Sequence, residues 1–268
     1  MPARIDTSRL IAAGIAASIE HFDELPSTQD WARQRAADAE CPLPLLVIAD
    51  RQSAGRGRQG NSWWTGEGSL AFSLLFDPGA TNGSRRIEPR LALAVGVAIV
   101  DSVAPRIPSQ PVGLHWPNDI YAGAGKLAGI LVEVLPDGRH ILGVGLNSNS
   151  LTADAPAELR GQIATLRDLT GRPHDHTQLL IDVLKGIAIR LRQLVAEDSA
   201  ILDAFDAMCR QHGQTLTLYV GDRAVTGRCA GIGPDGALLL DTPNGRERFL
   251  AGTLRPPSRQ AKSATEPR

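Results

Sequence analysis

The chain has 268 residues, 43% of them hydrophobic, with 28 basic against 29 acidic residues and a formal net charge of -1. That length buries one good core, or a large domain with a small one beside it, and the near-neutral charge argues against nonspecific nucleic-acid binding as the main task. The longest apolar run, Leu91 to Val100, stops at Asp101, too short to span a bilayer, and no basic-then-apolar leader opens the chain. Cys41, Cys209 and Cys229 lie far apart with no zinc-ligand spacing, which fits a reducing cytoplasm.

The elements follow in chain order. Residues 1–20 read as a short helical lead-in. Phe22 to Glu40 reads as strand, turn and helix, with Ser27 or Thr28 as N-cap and Asp30 near the positive end. Leu43–Asp50 and Ser69–Phe76 are apolar runs that predict buried strands. Ile87 to Val103 has helical periodicity. Val112–Trp116, Leu127–Leu135 and His140–Asn147 predict three more strands, the last two joined as a hairpin by the Pro136–Gly138 turn. A helical piece begins near Ala164. The strongest helix is His176 to Val195, with Leu180, Val183, Leu184, Ile187, Leu191 and Leu194 on one face. A short helix runs on to about Arg210. From Gly213, short strands alternate with glycine turns, the pattern of a small β-barrel or sandwich. Residues 257–268 form a polar tail expected to be disordered.

Four clusters carry chemistry. In "GRGRQGNSWW" (Gly55 to Trp64) glycines free backbone amides to turn toward a ligand, while Arg56 and Arg58 suit phosphate or carboxylate. The loop is not GxxxxGK[ST], because no Lys-Ser or Lys-Thr follows. Read alone, it is also compatible with a solvated arginine turn. In "HWPNDI" (His115 to Ile120) an apolar strand ends in Asn118 and Asp119, hard oxygen ligands suited to Mg²⁺ on nucleotide phosphates; alone it is an ordinary turn. In "GKLAGILVE" (Gly125 to Glu133), Lys126 at a strand mouth either stabilises charge developing in a transfer or simply snorkels to solvent. Only Lys126, Lys185 and Lys262 are lysines among the 28 basic residues. "GVGLNSN" (Gly143 to Asn149) allows close approach to a ligand and ends on polar Asn147; alone it is a packed strand and a turn.

In this order and spacing the clusters resemble the biotin–protein ligase family, from "LPSTQD" upstream to the glycine-turned β module downstream, over roughly residues 20–256. The resemblance implies an α+β fold: a mixed β-sheet with flanking helices, like class II aminoacyl-tRNA synthetases, followed by a small SH3-like β-barrel. It divides the chain into a catalytic domain at 1–210, a barrel at 211–256 and the tail. It implies that biotin and Mg-ATP form biotinyl-5′-AMP and pyrophosphate, and that biotin then passes to one lysine of a carboxyl-carrier domain, as in acetyl-CoA carboxylase. Ser27, Thr28 and Gln52 would hydrogen-bond the ureido end or line the biotin pocket. Gly55, Arg56, Gly57 and Arg58 would close over biotin and the adenylate, with Arg58 retaining the intermediate. Trp63 would pack near adenine. Asn118 and Asp119 would position ATP and Mg²⁺, and Asn147 would serve the nucleotide. Lys126 would touch the biotin carboxylate and the α-phosphate, with Gly129 and Leu131 lining the biotin slot.

His115 stands where the family commonly has Lys, so it is expected to support rather than catalyse; Asn61 and Ser62 replace residues often basic. "LPSTQD" begins at residue 25, so a ligase without an N-terminal helix-turn-helix domain, and no DNA partner, is expected. A homodimer through a sheet edge is compatible. Two rivals stand beside this reading. A lipoate–protein ligase shares the fold and chemistry, but "GRGRQG", "WPND" and the β module favour biotin. A non-catalytic biotin-binding regulator is disfavoured by the presence of Arg58, Asp119 and Lys126.

Overall fold

The computed structural model describes residues 4–78 and 90–255. The expected disordered tail and the first residues of the helix expected from Ile87 lie outside the described residues. The main body is a seven-stranded mixed sheet in the order β1-β2-β3-β7-β6-β5-β4. Its strands are β1 (Ser18–Leu25), β2 (Leu45–Gln52), β3 (Leu70–Phe76), β4 (Val112–His115), β5 (Asp119–Ala122), β6 (Gly125–Val134) and β7 (His140–Leu146). β1 and β2 run parallel, and every other neighbouring pair is antiparallel. The mixed sheet with flanking helices expected from the sequence is what forms.

Apolar patterning explains the layers. β2 has no alternation because both of its faces are covered: Leu46 and Ile48 join the main core, Leu45, Val47 and Ala49 a second cluster. The second cluster lies under α2 (Thr28–Arg35), capped by the Ser27 hydroxyl, which accepts from the Asp30 amide at 3.4 Å. On the main-core side, α3 (Leu91–Val103) is buried nearly all round, between the sheet and α5 (His176–Val195). α5 takes the expected bounds, with Asp175 accepting from the Gln178 amide at its start. Shorter helices are α1 (Thr7–Ala12), α4 (Leu166–Thr170) and α6 (Ser199–Ala207). Among the described residues the lead-in is thus helical only over Thr7–Ala12, and β1 already begins at Ser18.

The second sheet is antiparallel, in the order β11-β10-β9-β8-β12, from β8 (Thr215–Val220), β9 (Arg223–Ile232), β10 (Leu238–Thr242), β11 (Gly245–Phe249) and β12 (Thr253–Arg255). Two features of the junction matter for the site. The buried Trp116 donates its indole Nε1–H to the Gly236 carbonyl of the second sheet at 3.0 Å. Gln211, fully buried, accepts from the Trp116 amide at 2.7 Å. The tryptophan of "HWPNDI" therefore ties the two sheets together.

One strand was not foreseen. Asp119 was expected at a strand terminus followed by a turn; it instead opens β5, which pairs back on β4 with Asp119 opposite His115. Four residues that begin inside a Pro-Asn-Asp turn carry too little alternation to announce a strand.

Candidate active site

A bulge decides where Lys126 points. Along β5 and β6, Asp119 pairs with Gly129 and Ile120 with Ala128, but Tyr121 pairs with Lys126, leaving Leu127 extra. Leu127 and Ala128 consequently both enter the core, and Lys126 lies on the cleft face with Gly129 and Leu131. Just before it, Gly125 has no room for a Cβ, which would come within 2.7 Å of the Ile163 carbonyl carbon.

The cleft has a volume of about 250 Å³ and opens on the sheet face away from α3. Its floor is made of absent side chains. Gly129 and Gly145 face each other across β6 and β7, and a Cβ on Gly145 would fall 2.2 Å from the Trp63 ring. A Cβ on Gly143 would fall 2.4 Å from Gln29 Oε1.

One end is polar and buried. The Thr28 amide donates to Gln52 Oε1 at 2.8 Å, and the Thr28 and Ser73 hydroxyls are 2.9 Å apart. Ser73 Oγ donates to Gln29 Oε1 at 3.2 Å, and Gln29 Nε2 donates to Glu133 Oε2 at 2.9 Å. Gln29 and Ser73 were missed in the sequence. Gln29 follows Thr28 directly and could have been found as part of "LPSTQD"; Ser73, alone among apolar residues of β3, gave no signal.

Above the floor stands a small hairpin. The Gly57 amide donates to the Asn61 carbonyl at 2.7 Å, the Asn61 amide to the Arg58 carbonyl at 3.1 Å, and the Trp63 amide to the Gly55 carbonyl at 2.8 Å. Gln59 and Gly60, at its tip, both have positive φ, at 56° and 77°, the mark of a type I′ turn. The glycine-arginine stretch is thus a lid with defined structure. Arg56 pairs with Asp30 at 3.0 Å and Arg58 Nη1 donates to Asn118 Oδ1 at 3.0 Å.

The other end is ionic. Lys126 Nζ lies 2.9 Å from Asp119 Oδ1, but the approach is off-angle, so this buried oxygen accepts no hydrogen bond among the described residues. Lys126 also stands 5.3 Å from the centre of the Trp63 ring. Burial pulls the Arg58 guanidinium below its ordinary value, and Asp119 opposes that. Burial also lowers His115, whose ring stacks on Tyr121 with centroids 4.4 Å apart. Tyr121 is pushed up by burial and then by Asp119.

Of the residues singled out in the sequence, Ser27, Thr28, Gln52, Arg56, Gly57, Arg58, Trp63, Asn118, Asp119, Lys126, Gly129 and Leu131 line this one cleft. Two do not. Gly55 backs the lid, where a Cβ would meet the Trp63 carbonyl at 2.6 Å. Asn147 is buried beside the start of β6, its Nδ2 donating to the Lys126 carbonyl at 3.1 Å and its Oδ1 without a hydrogen-bond partner among the described residues. Among the described residues, no three His, Cys, Asp or Glu side chains gather to hold a metal.

Comparison with known proteins agrees with this arrangement. Residues 22–147 match the biotin/lipoate A/B protein ligase family, and residues 212–253 match the biotin protein ligase C-terminal domain. The biotin--[acetyl-CoA-carboxylase] ligase of Mycobacterium tuberculosis is 33% identical over 212 residues, covering 77% of this chain and 77% of that one. The corresponding ligase of Paracoccus denitrificans is 30% identical, covering 78% and 88%. The structure of the Aquifex aeolicus biotin protein ligase in complex with biotin and ATP superposes with a TM-score of 0.78 at 28% identity, covering 89% of this chain and 99% of that one. With a two-sheet fold, a glycine-floored cleft and relatives of this similarity, the chain belongs to the biotin protein ligase family.

Proposed function

We propose that this cleft activates biotin with ATP and then transfers it to a lysine of a biotin carboxyl carrier domain, such as that of acetyl-CoA carboxylase. The observation that carries the reading is the convergence of Lys126, Arg58, Asn118 and Asp119 over the Gly129–Gly145 floor. In the first step a biotin carboxylate oxygen attacks the α-phosphorus of ATP, the bond to pyrophosphate breaks, and biotinyl-5′-AMP forms. Both reactants are anions, so Lys126 and Arg58 offset their repulsion and the charge that builds on the α-phosphate. In the second step a deprotonated carrier lysine attacks the acyl carbon, an amide bond forms, and AMP leaves.

The polar end formed by Ser27, Thr28, Gln29, Gln52 and Ser73 suits the ureido ring, and the glycine floor with Leu131 suits the apolar part of biotin. Trp63 and Asn118 serve the nucleotide. Asn147 acts by holding the backbone of Lys126. Asp119, whose Oδ1 faces the Lys126 ammonium, offers its carboxylate to a magnesium ion arriving on ATP, since Mg²⁺ commonly takes one or two carboxylates and fills its shell with phosphate and water. The three cysteines are free thiols, consistent with a cytoplasmic protein. Among the described residues no helix is long and apolar enough to cross a membrane.

The test is mass spectrometry of a carrier domain incubated with this protein, ATP, Mg²⁺ and biotin, with lipoate as control. One added biotin, lost with Lys126→Ala and absent with lipoate, is the expected result. No added mass and no pyrophosphate with either acid would reject the reading.

A further inference from the structure

Gln59 of the lid hairpin is a side chain that the chemistry above does not use. Gln59, at the tip, sits in the left-handed region with φ 56° and ψ 33°. Glycine or asparagine occupies such a position at lower cost, so a glutamine there invites a reason. Its side chain reaches across the cleft mouth: Gln59 Oε1 accepts a hydrogen bond from Thr253 Oγ1 at 2.8 Å.

Thr253 belongs to the second sheet. It opens β12, where it pairs with Tyr219 of β8. Gly252 before it packs so closely that a Cβ would come within 2.6 Å of Leu218 Cδ1. The donor is therefore held by a strand with little slack. Gly252, Thr253 and Leu254 also line the cleft. Two other tie points hold the lid from the first sheet and its helix, Arg56 to Asp30 and Arg58 to Asn118. Only the Gln59 contact joins the lid to the β module among the hydrogen bonds of the described lid residues.

We propose that the Gln59–Thr253 hydrogen bond is a latch by which the C-terminal β module holds the lid shut over the acyl-adenylate until a carrier lysine arrives. The inference rests on the ligase reading above and assigns Gln59 and Thr253 as positioning residues for it. The bond is exposed to water, so it is weak enough to open in each turnover. It acts on retention of the intermediate, because neither side chain contacts Lys126 or Asp119.

The experiment counts pyrophosphate released per biotin transferred to a carrier domain. Wild type is compared with Thr253→Val, Thr253→Ser, Gln59→Gly and the Thr253→Val/Gln59→Gly pair. Thr253→Val and Gln59→Gly are expected to raise the excess of this ratio over one about three- to tenfold, the range of one neutral hydrogen bond. Thr253→Ser keeps the donor and stays near wild type, and the pair leaks no more than either single variant. An unchanged ratio in every variant overturns the latch. Equal leakage from Thr253→Val and Thr253→Ser also overturns it, since shape alone would then explain the effect. A wild type that releases no pyrophosphate at all would sink the ligase reading itself, and the latch with it.

Discussion

Lys126 and Asp119 face each other at 2.9 Å across the β5–β6 ladder, each partly exposed to the cleft. The pairing holds the ammonium at the place where two substrate anions must meet. Lys126→Ala is expected to lower pyrophosphate release by about a hundredfold or more, on the scale of removing one group that stabilises developing charge. Lys126→Arg should recover little, because a planar fork does not occupy the site of a compact ammonium. Both are read from initial rates of pyrophosphate release, and a Lys126→Ala enzyme within threefold of wild type would refute the role.

Gly145 offers a test of the floor. A methyl there would sit 2.2 Å from the Trp63 ring, so Gly145→Ala must lift the indole off the sheet. The lid can move, so the fold should melt within a few degrees of wild type. The expected change is a rise of about tenfold in the KM for ATP, measured beside the thermal midpoint. A large fall in stability with an unchanged KM would place Trp63 in the core rather than at the substrate.

Trp116 predicts how the two sheets depend on each other. Trp116→Phe removes the donor to the Gly236 carbonyl and leaves that acceptor unpaired, at a cost of about 1–3 kcal/mol. Because Trp116 lies two residues before Asn118, weaker ATP binding should accompany the lower stability. Denaturant unfolding and ATP titration on the same variant check both.

Histidine burial sets the behaviour in mild acid. His115, His174 and His176 are each lowered, first of all by burial. The unfolded chain then binds more protons near its ordinary value of about 6.5 than the folded chain does, so stability is full above that pH and falls as pH drops through it. Asp175 and Asp241 are lowered by hydrogen bonds, which places their loss in a separate window, below their ordinary carboxylate value. Urea midpoints from pH 8 to pH 5 should decline for wild type and flatten partly in His176→Gln. A flat wild-type profile would contradict this account. His115→Lys should not raise kcat at pH 8, since neutral His115 contributes by stacking on Tyr121.

The sequence made some of this legible and hid the rest for identifiable reasons. α5 could be bounded from its apolar stripe, and the β6–β7 hairpin from two apolar runs about Pro136–Gly138. β5 stayed hidden because four residues cannot show a period. The cleft residues with formal charge or special backbone freedom stood out in the text. Gln29 and Ser73 did not, because a single neutral polar residue acquires meaning only when three strands and a helix close around it. Asn147 stood out as a polar end-point, but its bond to the Lys126 carbonyl did not, because that contact joins residues 21 apart in the chain, which local sequence does not carry.

The extra residue at Leu127 has a consequence for how this stretch can vary. Substitution there is a matter of volume, and another aliphatic side chain should serve. A slip of register is different in kind. Pairing every present residue without the bulge would set Lys126 opposite Ala122 on the hydrophobic side, whereas deleting Leu127 would regularise the ladder with the ammonium still opposite Tyr121 on the cleft face. The segment should therefore accept point changes, and even loss of the extra residue, more readily than a shift of pairing by one, a boundary drawn by strand parity alone.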